Sequence, residues 1–249
     1  MGNKNKLVIL LAGNAGAGKD TLATFLKGFL QKWSATRTDA YAWALKQCVH
    51  LKTGIPMDIL LAPKDVKESY ICSLTDRTAR KLLQDEGETT RQEYGHLVWA
   101  WGAMKRARAA SERVTIITDA RHPKEEIHWM RQACSEFARV FVVRITRKSV
   151  PVKRGHPSED FIADESDDSF DFIIENNLDL ECLRIAALEL ARACVLLHKT
   201  GKKKVKASGD GWGEDWGEAW EPLVTEKEAS VLAAPTKLTY YHLKGGACI

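Results

Sequence analysis

The sequence predicts an α/β fold, a three-layer sandwich with a parallel sheet of about five strands between layers of helices and an appendage at the C-terminal end. Three observations predict it. A continuous apolar run at residues 7–12 and mostly apolar runs at 114–118 and 140–145 have the two-sided burial expected of parallel strands. Amphipathic segments of helical period lie between them. The nine residues Gly13-Asn14-Ala15-Gly16-Ala17-Gly18-Lys19-Asp20-Thr21 join the first run to the first helix through a glycine-rich turn.

Each element follows in order. After the strand at 7–12, residues 22–33 carry Leu22, Phe25, Leu26, Phe29, Leu30 and Trp33 on one helical stripe. The polar stretch 34–39 leads to residues 41–44, read as a second short strand, and 45–51 reads as a helix. Residues 53–76 hold Gly54, Pro56 and Pro63 with weak periodicity, which predicts loops and short helical pieces forming an insertion. Residues 77–86 are more regular, and 96–110 form a helix with Leu97, Trp101 and Met104 among basic residues. The strand 114–118 ends in Asp119-Ala120-Arg121 and is followed by a helix over 125–137. The strand 140–145 is followed by the polar segment 149–168, a last short strand at 170–174 and a closing helix at 178–197. Strands and helices alternating at this spacing imply right-handed crossovers and a parallel sheet covered on both faces.

The glycine-rich turn carries the first chemical signal. A phosphate chain needs backbone N–H donors at close range and a helix N-terminus facing it. Gly13, Gly18 and Lys19 sit at G-x-x-x-x-G-K spacing, which sets the lysine ammonium beside the β- and γ-phosphate oxygens of a bound nucleotide. The Ser or Thr usual at the next position, whose hydroxyl binds Mg²⁺, is replaced by Asp20, with Thr21 one residue later. Either side chain suits the metal, and the sequence leaves the choice open.

Size and composition set bounds. A chain of 249 residues suits one α/β domain with an appendage, or two small domains. With 37 basic against 33 acidic residues, the net charge of +4 is too small to make nucleic acid the main partner. Cys48, Cys72, Cys134, Cys182, Cys194 and Cys248 show neither C-x-x-C pairing nor metal-ligand spacing, so reduced, mostly buried thiols in a cytoplasmic protein are expected. The run 7–12 is too short for a secretion signal, and no stretch approaches the roughly 18 apolar residues that span a bilayer, so no membrane association is expected.

Further candidates lie where the strands end, since ligands of parallel sheets bind beyond the strands' carboxyl ends. Asp119 ends an apolar strand, the place for an acid that holds Mg²⁺ or its waters; capping a neighbouring loop is the competing role. Arg121 points to the same crevice as a grip for an acceptor phosphate. Lys46, Arg80 and Gln84 form a second set, with Arg80 and Gln84 on one side of a helix. A guanidinium suits a phosphate and a carboxamide suits a base edge, with Trp99 or Trp101 available for stacking. The segment after residue 146 reads as a lid: Arg147, Lys148, Lys153, Arg154 and His156 precede Pro157-Ser158-Glu159. A closing lid excludes water and delivers an arginine to the transferring group. The acidic run 164–168 reads as a solvated face.

These residues, in this order, resemble the deoxynucleoside monophosphate kinases of tailed bacteriophages, which have a P-loop nucleotide-monophosphate-kinase fold. The resemblance covers about residues 6–195 and rests on Gly18-Lys19-Asp20-Thr21, Ala42 to Lys46, Arg80-Lys81-Leu82-Leu83-Gln84 and Asp119-Ala120-Arg121. Val143-Arg144, His156-Pro157-Ser158-Glu159 and Ile174-Glu175-Asn176 complete it. It implies transfer of the γ-phosphate of ATP to a deoxynucleoside monophosphate with Mg²⁺, in the host cytoplasm for a phage protein. Gly13 through Thr21 then hold the donor, and Asp20, Thr21 and Asp119 are the metal candidates. Lys46, Arg80, Gln84, Asp119, Arg121, His156 and Glu159 serve the acceptor, and Lys19, Arg121, Arg144, Arg147 and Arg154 the transfer itself. The implied kinase domain spans 1–199, with an acceptor-binding insertion at about 53–112 and a lid at about 146–168.

Two other readings share the motif. One is a small-molecule kinase for another acceptor, of the dephospho-coenzyme A or phosphomevalonate type; the other is a nucleotide-dependent switch or ATPase. Residues 200–249 form the appendage, with a basic run at 202–206 read as a solvated linker and an acidic, tryptophan-rich repeat at 211–220. Packing on the domain, a mobile tail and self-association into a homodimer are the roles this composition allows.

Overall fold

The computed structural model describes residues 5–120, 123–150, 166 and 169–200. Five parallel strands form the sheet: β1 (Lys6–Ala12), β2 (Thr36–Asp39), β5 (Val114–Ala120), β6 (Ala138–Thr146) and β7 (Phe172–Glu175), in the order β2-β5-β1-β6-β7. Two further strands, β3 (Ile71–Cys72) and β4 (Arg77–Thr78), make a small antiparallel pair outside it.

The central strand β1 pairs with β5 on one side, Leu7 opposite Val114, and with β6 on the other, Ile9 opposite Phe141. Its alternation decides the layers. Leu7, Ile9 and Leu11 bury into one cluster with α1 (Lys19–Gln31) and α8 (Leu180–Thr200). Val8, Leu10 and Ala12 bury into a second with Tyr41, Phe170, α6 (Val98–Ala109) and α7 (His128–Ala133). Leu7, Ile9, Leu10 and Leu11 are all 0% exposed, which is why the strand could be read as one unbroken apolar run.

Between β2 and β5 lies a helical segment, α2 (Ala42–Thr53) followed, over the stretch expected as the insertion, by α3 (Met57–Leu61), α4 (Lys64–Ser69), α5 (Ala79–Tyr94) and α6. It has its own small core of Val49, Ile55, Leu60, Cys72 and Ala79, and α2 packs on α5 where Leu45 meets Gly87. Thr78 caps α5 by accepting a hydrogen bond from the Lys81 N–H.

Two elements differ from the sequence reading. The second strand is the polar stretch Thr36–Asp39, and residues 41–44, expected as strand, open α2 instead. β2 is an edge strand paired only with β5, so a run of four polar residues suffices there. The helix expected over 125–137 is shorter, a π-helical turn at Pro123–Ile127 followed by α7. The closing helix runs on to Thr200; the appendage beyond it, and most of the expected lid and acidic run, lie outside the described residues. The five described cysteines are unpaired, and three of them, Cys72, Cys134 and Cys194, are buried. No described helix is long and apolar enough to cross a membrane.

Candidate active site

The glycine-rich loop lies between β1 and α1 at the carboxyl end of the sheet. Gly16 and Gly18 have φ values of 84° and 101°, left-handed conformations that glycine adopts without penalty. A Cβ at Gly13 would run into the carbonyl oxygen of Ile145 in β6. The Ala17 N–H donates to the Asn14 carbonyl at 3.1 Å and closes a turn, while the N–H groups of Gly16 and Gly18 take no backbone partner among the described residues. Lys19 donates through Nζ to the carbonyls of Gly13 at 2.7 Å and Asn14 at 2.9 Å. The loop is thus curled around its own lysine, with N–H donors and the positive end of α1 beside it, an arrangement that suits a polyphosphate. Asp20 is exposed and Thr21 half-buried on the first turn of α1.

Asp119 ends β5 and spends both carboxylate oxygens on the start of α2. Oδ1 accepts from the Tyr41 N–H at 2.6 Å and Oδ2 from the Ala42 N–H at 3.0 Å. It therefore caps the start of a helix more than seventy positions away in sequence, where the sequence reading allowed only for capping a loop. Each carboxylate oxygen keeps a second lone pair, so this capping is compatible with a metal's water. Burial, reinforced by the negative charges of Glu126 and Asp119, raises the Tyr41 phenol well above its ordinary range.

Lys46 is one helical turn inside the end of α2 that Asp119 caps, and is half-buried. Arg80 lies on the first turn of α5 and pairs with Glu68 of α4 at 3.3 Å. Gln84, one turn on, is exposed. α2 packs on α5 through Leu45 and Gly87, so Lys46 lies on one of these helices and Arg80 and Gln84 on the other. Trp99 is buried at 5% exposure whereas Trp101 is 52% exposed under Lys105, so the two tryptophans face different surroundings.

Arg144 stands opposite Ala12 across the β1–β6 ladder, immediately before the loop, with its guanidinium 5.3 Å from the Phe170 ring. Arg147 is exposed just beyond β6. Arg121, Arg154, His156 and Glu159 lie outside the described residues. The structure therefore brings together the loop, Arg144 and the Asp119-held end of α2 along one edge of the sheet.

Two features of this edge went unread in the sequence. Asp39, at the end of β2 with its side chain 1% exposed, takes a two-pronged ion pair from Arg106 at 2.9 Å. Asn176, after β7, donates to the loop itself at Ala17. The Asn176-Asn177 pair between an apolar strand and a helix was the available signal for the second; the first had none.

No family model and no curated sequence matches the chain. Among solved structures it is similar to an APS kinase from Mycobacterium tuberculosis (11% identity, TM-score 0.40, 75% of this chain and 96% of that one). It is also similar to a shikimate kinase from Acinetobacter baumannii in complex with shikimate (16%, 0.39, 81% and 97%). A third is a sugar kinase from Janibacter sp. (15%, 0.36, 74% and 93%).

Proposed function

We propose that the protein is an ATP-dependent nucleotide kinase, transferring the γ-phosphate of ATP to a (deoxy)nucleoside monophosphate. The observation that carries this reading is the loop at Gly13 through Thr21: left-handed Gly16 and Gly18, N–H groups without a backbone partner among the described residues, and Lys19 poised over the turn. Phosphoryl transfer asks a protein mainly to align two groups and neutralise charge, so a cradle of N–H donors and cations is the central requirement. The acceptor phosphate of a monophosphate is already ionised and attacks through its own oxygen. No general base has to be found in the site.

In this reading the loop and Lys19 hold the donor phosphates, and Arg144, beside Ala12, adds positive charge at the loop's start. Lys46, Arg80 and Gln84 on the helical segment receive the acceptor, with Arg121, and Arg147, Arg154, His156 and Glu159 belong to the lid. Support for the acceptor set is limited to the packing of α2, which carries Lys46, on α5, which carries Arg80 and Gln84.

Mg²⁺ takes hard oxygen ligands, keeps several waters and is otherwise bound by phosphate oxygens, so a dedicated protein cage is not needed. Asp20 or Thr21, with Asp119 through water, offer a fitting donor set. The ion would neutralise charge on the β- and γ-phosphate oxygens.

The test is to incubate purified protein with ATP, Mg²⁺ and each ribo- or deoxyribonucleoside monophosphate in turn, following diphosphate formation, with Lys19→Ala as control. Diphosphate from one or more acceptors, lost in the variant, supports the reading. ATP hydrolysis without an acceptor product replaces it with a switch or ATPase, and inertness towards every nucleotide with a kinase for another acceptor.

A further inference from the structure

The phosphate loop is gripped from the far side of the sheet. Asn176 directly follows β7 and is buried, at 7% exposure. Its backbone N–H donates to the Thr146 carbonyl at 2.8 Å, which ties it to the end of β6. Its side chain donates through Nδ2 to the Ala17 carbonyl at 2.9 Å, a contact spanning 159 positions in sequence. Only the amide NH₂ end can meet a carbonyl oxygen, so the orientation of this side chain is fixed by its partner. The next residue, Asn177, accepts from the Lys148 N–H at 2.7 Å, so the same turn also fastens the chain leaving β6.

The peptide that Asn176 holds is the one between Ala17 and Gly18. In a trans peptide the C=O and N–H point in opposite directions. Fixing the Ala17 oxygen on Asn176 therefore fixes the Gly18 N–H pointing away from it. That N–H has no backbone partner among the described residues. Gly18 also has φ 101°, and a Cβ there would stand 2.5 Å from Asn176 Nδ2. Asn176 and Gly18 are thus matched to each other: the glycine leaves room for the amide, and the amide sets the peptide.

We infer that Asn176 is a positioning residue for the phosphoryl donor. Its hydrogen bond to the Ala17 carbonyl presets the Gly18 N–H to meet a polyphosphate anion, so the loop need not reorganise when the anion arrives. This rests on the reading of the loop as a phosphate site, and it adds a residue outside the motif to the machinery that holds the donor.

The experiment titrates the full-length protein with inorganic tripolyphosphate and with ATP and Mg²⁺, comparing wild type, Lys19→Ala, Asn176→Ala and Asn176→Asp. At about pH 8 both Asn176 variants should bind tripolyphosphate about 10-fold more weakly than wild type, the scale of one lost hydrogen bond that organises a charged site. On acidification to about pH 5.5, Asn176→Asp should recover towards wild type measured at the same pH, because a buried carboxyl takes up a proton and regains a donor. Asn176→Ala has no donor at any pH and should stay weak. A role in packing alone would leave the two variants equally weak at both pH values. If wild type binds neither ligand, the phosphate-site reading fails and this inference with it. If wild type binds and Lys19→Ala does not, but the Asn176 variants match wild type at about pH 8, or the Asp variant fails to recover, the inference alone is overturned. Should the variants not fold, ¹⁵N-labelled wild type decides: the Asn176 side-chain NH₂, already bonded in the free protein, should be protected from solvent exchange before any ligand is added and the Gly18 amide signal should shift with tripolyphosphate, and an unprotected Asn176 NH₂ or an unmoved Gly18 amide overturns the proposal.

Discussion

At the scale of single residues, the loop's chemistry depends on one cation and its strain on glycines. Lys19 bonds to the Gly13 and Asn14 carbonyls, so the ammonium already sits inside the turn that a phosphate would enter. Lys19→Ala should lower kcat on the order of 10²–10³-fold, the loss typical when one preorganised donor to a charged transition state is removed. Thermal melting of the variant should stay close to wild type, because the side chain leaves no buried charge behind. Gly18 and Gly54 make a second, internal comparison. Both have positive φ, 101° and 70°, but a Cβ at Gly54 meets nothing within 4 Å whereas one at Gly18 meets Asn176. Gly54→Ala should therefore cost only the left-handed penalty, about 1–2 kcal/mol. Gly18→Ala should cost more, since Asn176 has to move as well. Denaturant unfolding of the two variants measures the difference, and equal losses would show that Asn176 yields freely.

At the scale of elements, α1 and α8 cover one face of the sheet, and their distal ends meet where Trp33 packs edge-on to His198 with ring centroids 5.7 Å apart. Burial, with Arg113 and Arg139 nearby, lowers His198 from its ordinary 6.5 to about 4. The unfolded chain takes up this proton near pH 6.5 while the fold refuses it until about pH 4, so stability should fall as pH drops through that window. Melting temperatures at about pH 7.5 and 5 should differ more in wild type than in His198→Phe, which has nothing to titrate there. The elements were unequally legible in the sequence. β1, β5 and β6 are buried on both faces and announce themselves as apolar runs, and α1 shows its stripe because only one face is covered. β2 was hidden because an edge strand needs little hydrophobicity. The 41–44 stretch was misread because what starts α2 there is Asp119, a cap invisible to local pattern. The loop was legible because its glycines and lysine lie close together in sequence. Its support from Asn176 was not, since that contact bridges the two ends of the domain.

At the scale of the whole molecule, the candidate site joins two bodies of structure, the sheet that carries the loop and the helical segment that carries Lys46, Arg80 and Gln84. Asp119 is a direct bond between them, since it belongs to β5 and holds the N-terminus of α2 through both carboxylate oxygens. A second tie lies alongside, where Arg106 of α6 grips Asp39 at the end of β2 and the Ala40 carbonyl just before α2. Asp119 sets α2 in the structure and, in the proposed function, also serves Mg²⁺; Asp119→Asn distinguishes the two roles. The amide still accepts from one backbone N–H but cannot accept from both through two oxygens, so α2 loses part of its cap and Lys46 its fixed place. If orientation of the helical segment is the larger role, KM for the acceptor should rise several-fold while KM for ATP and the Mg²⁺ dependence stay near wild type. If metal binding is the larger role, kcat should fall and half-saturation by Mg²⁺ should move to higher concentration, with acceptor KM little changed. Two N–H bonds to the carboxylate, at 2.6 and 3.0 Å, one to each oxygen, favour the first outcome. Initial rates measured across acceptor, ATP and Mg²⁺ concentrations in wild type and Asp119→Asn decide between them, because only the first outcome places the defect on the α2 side of the site.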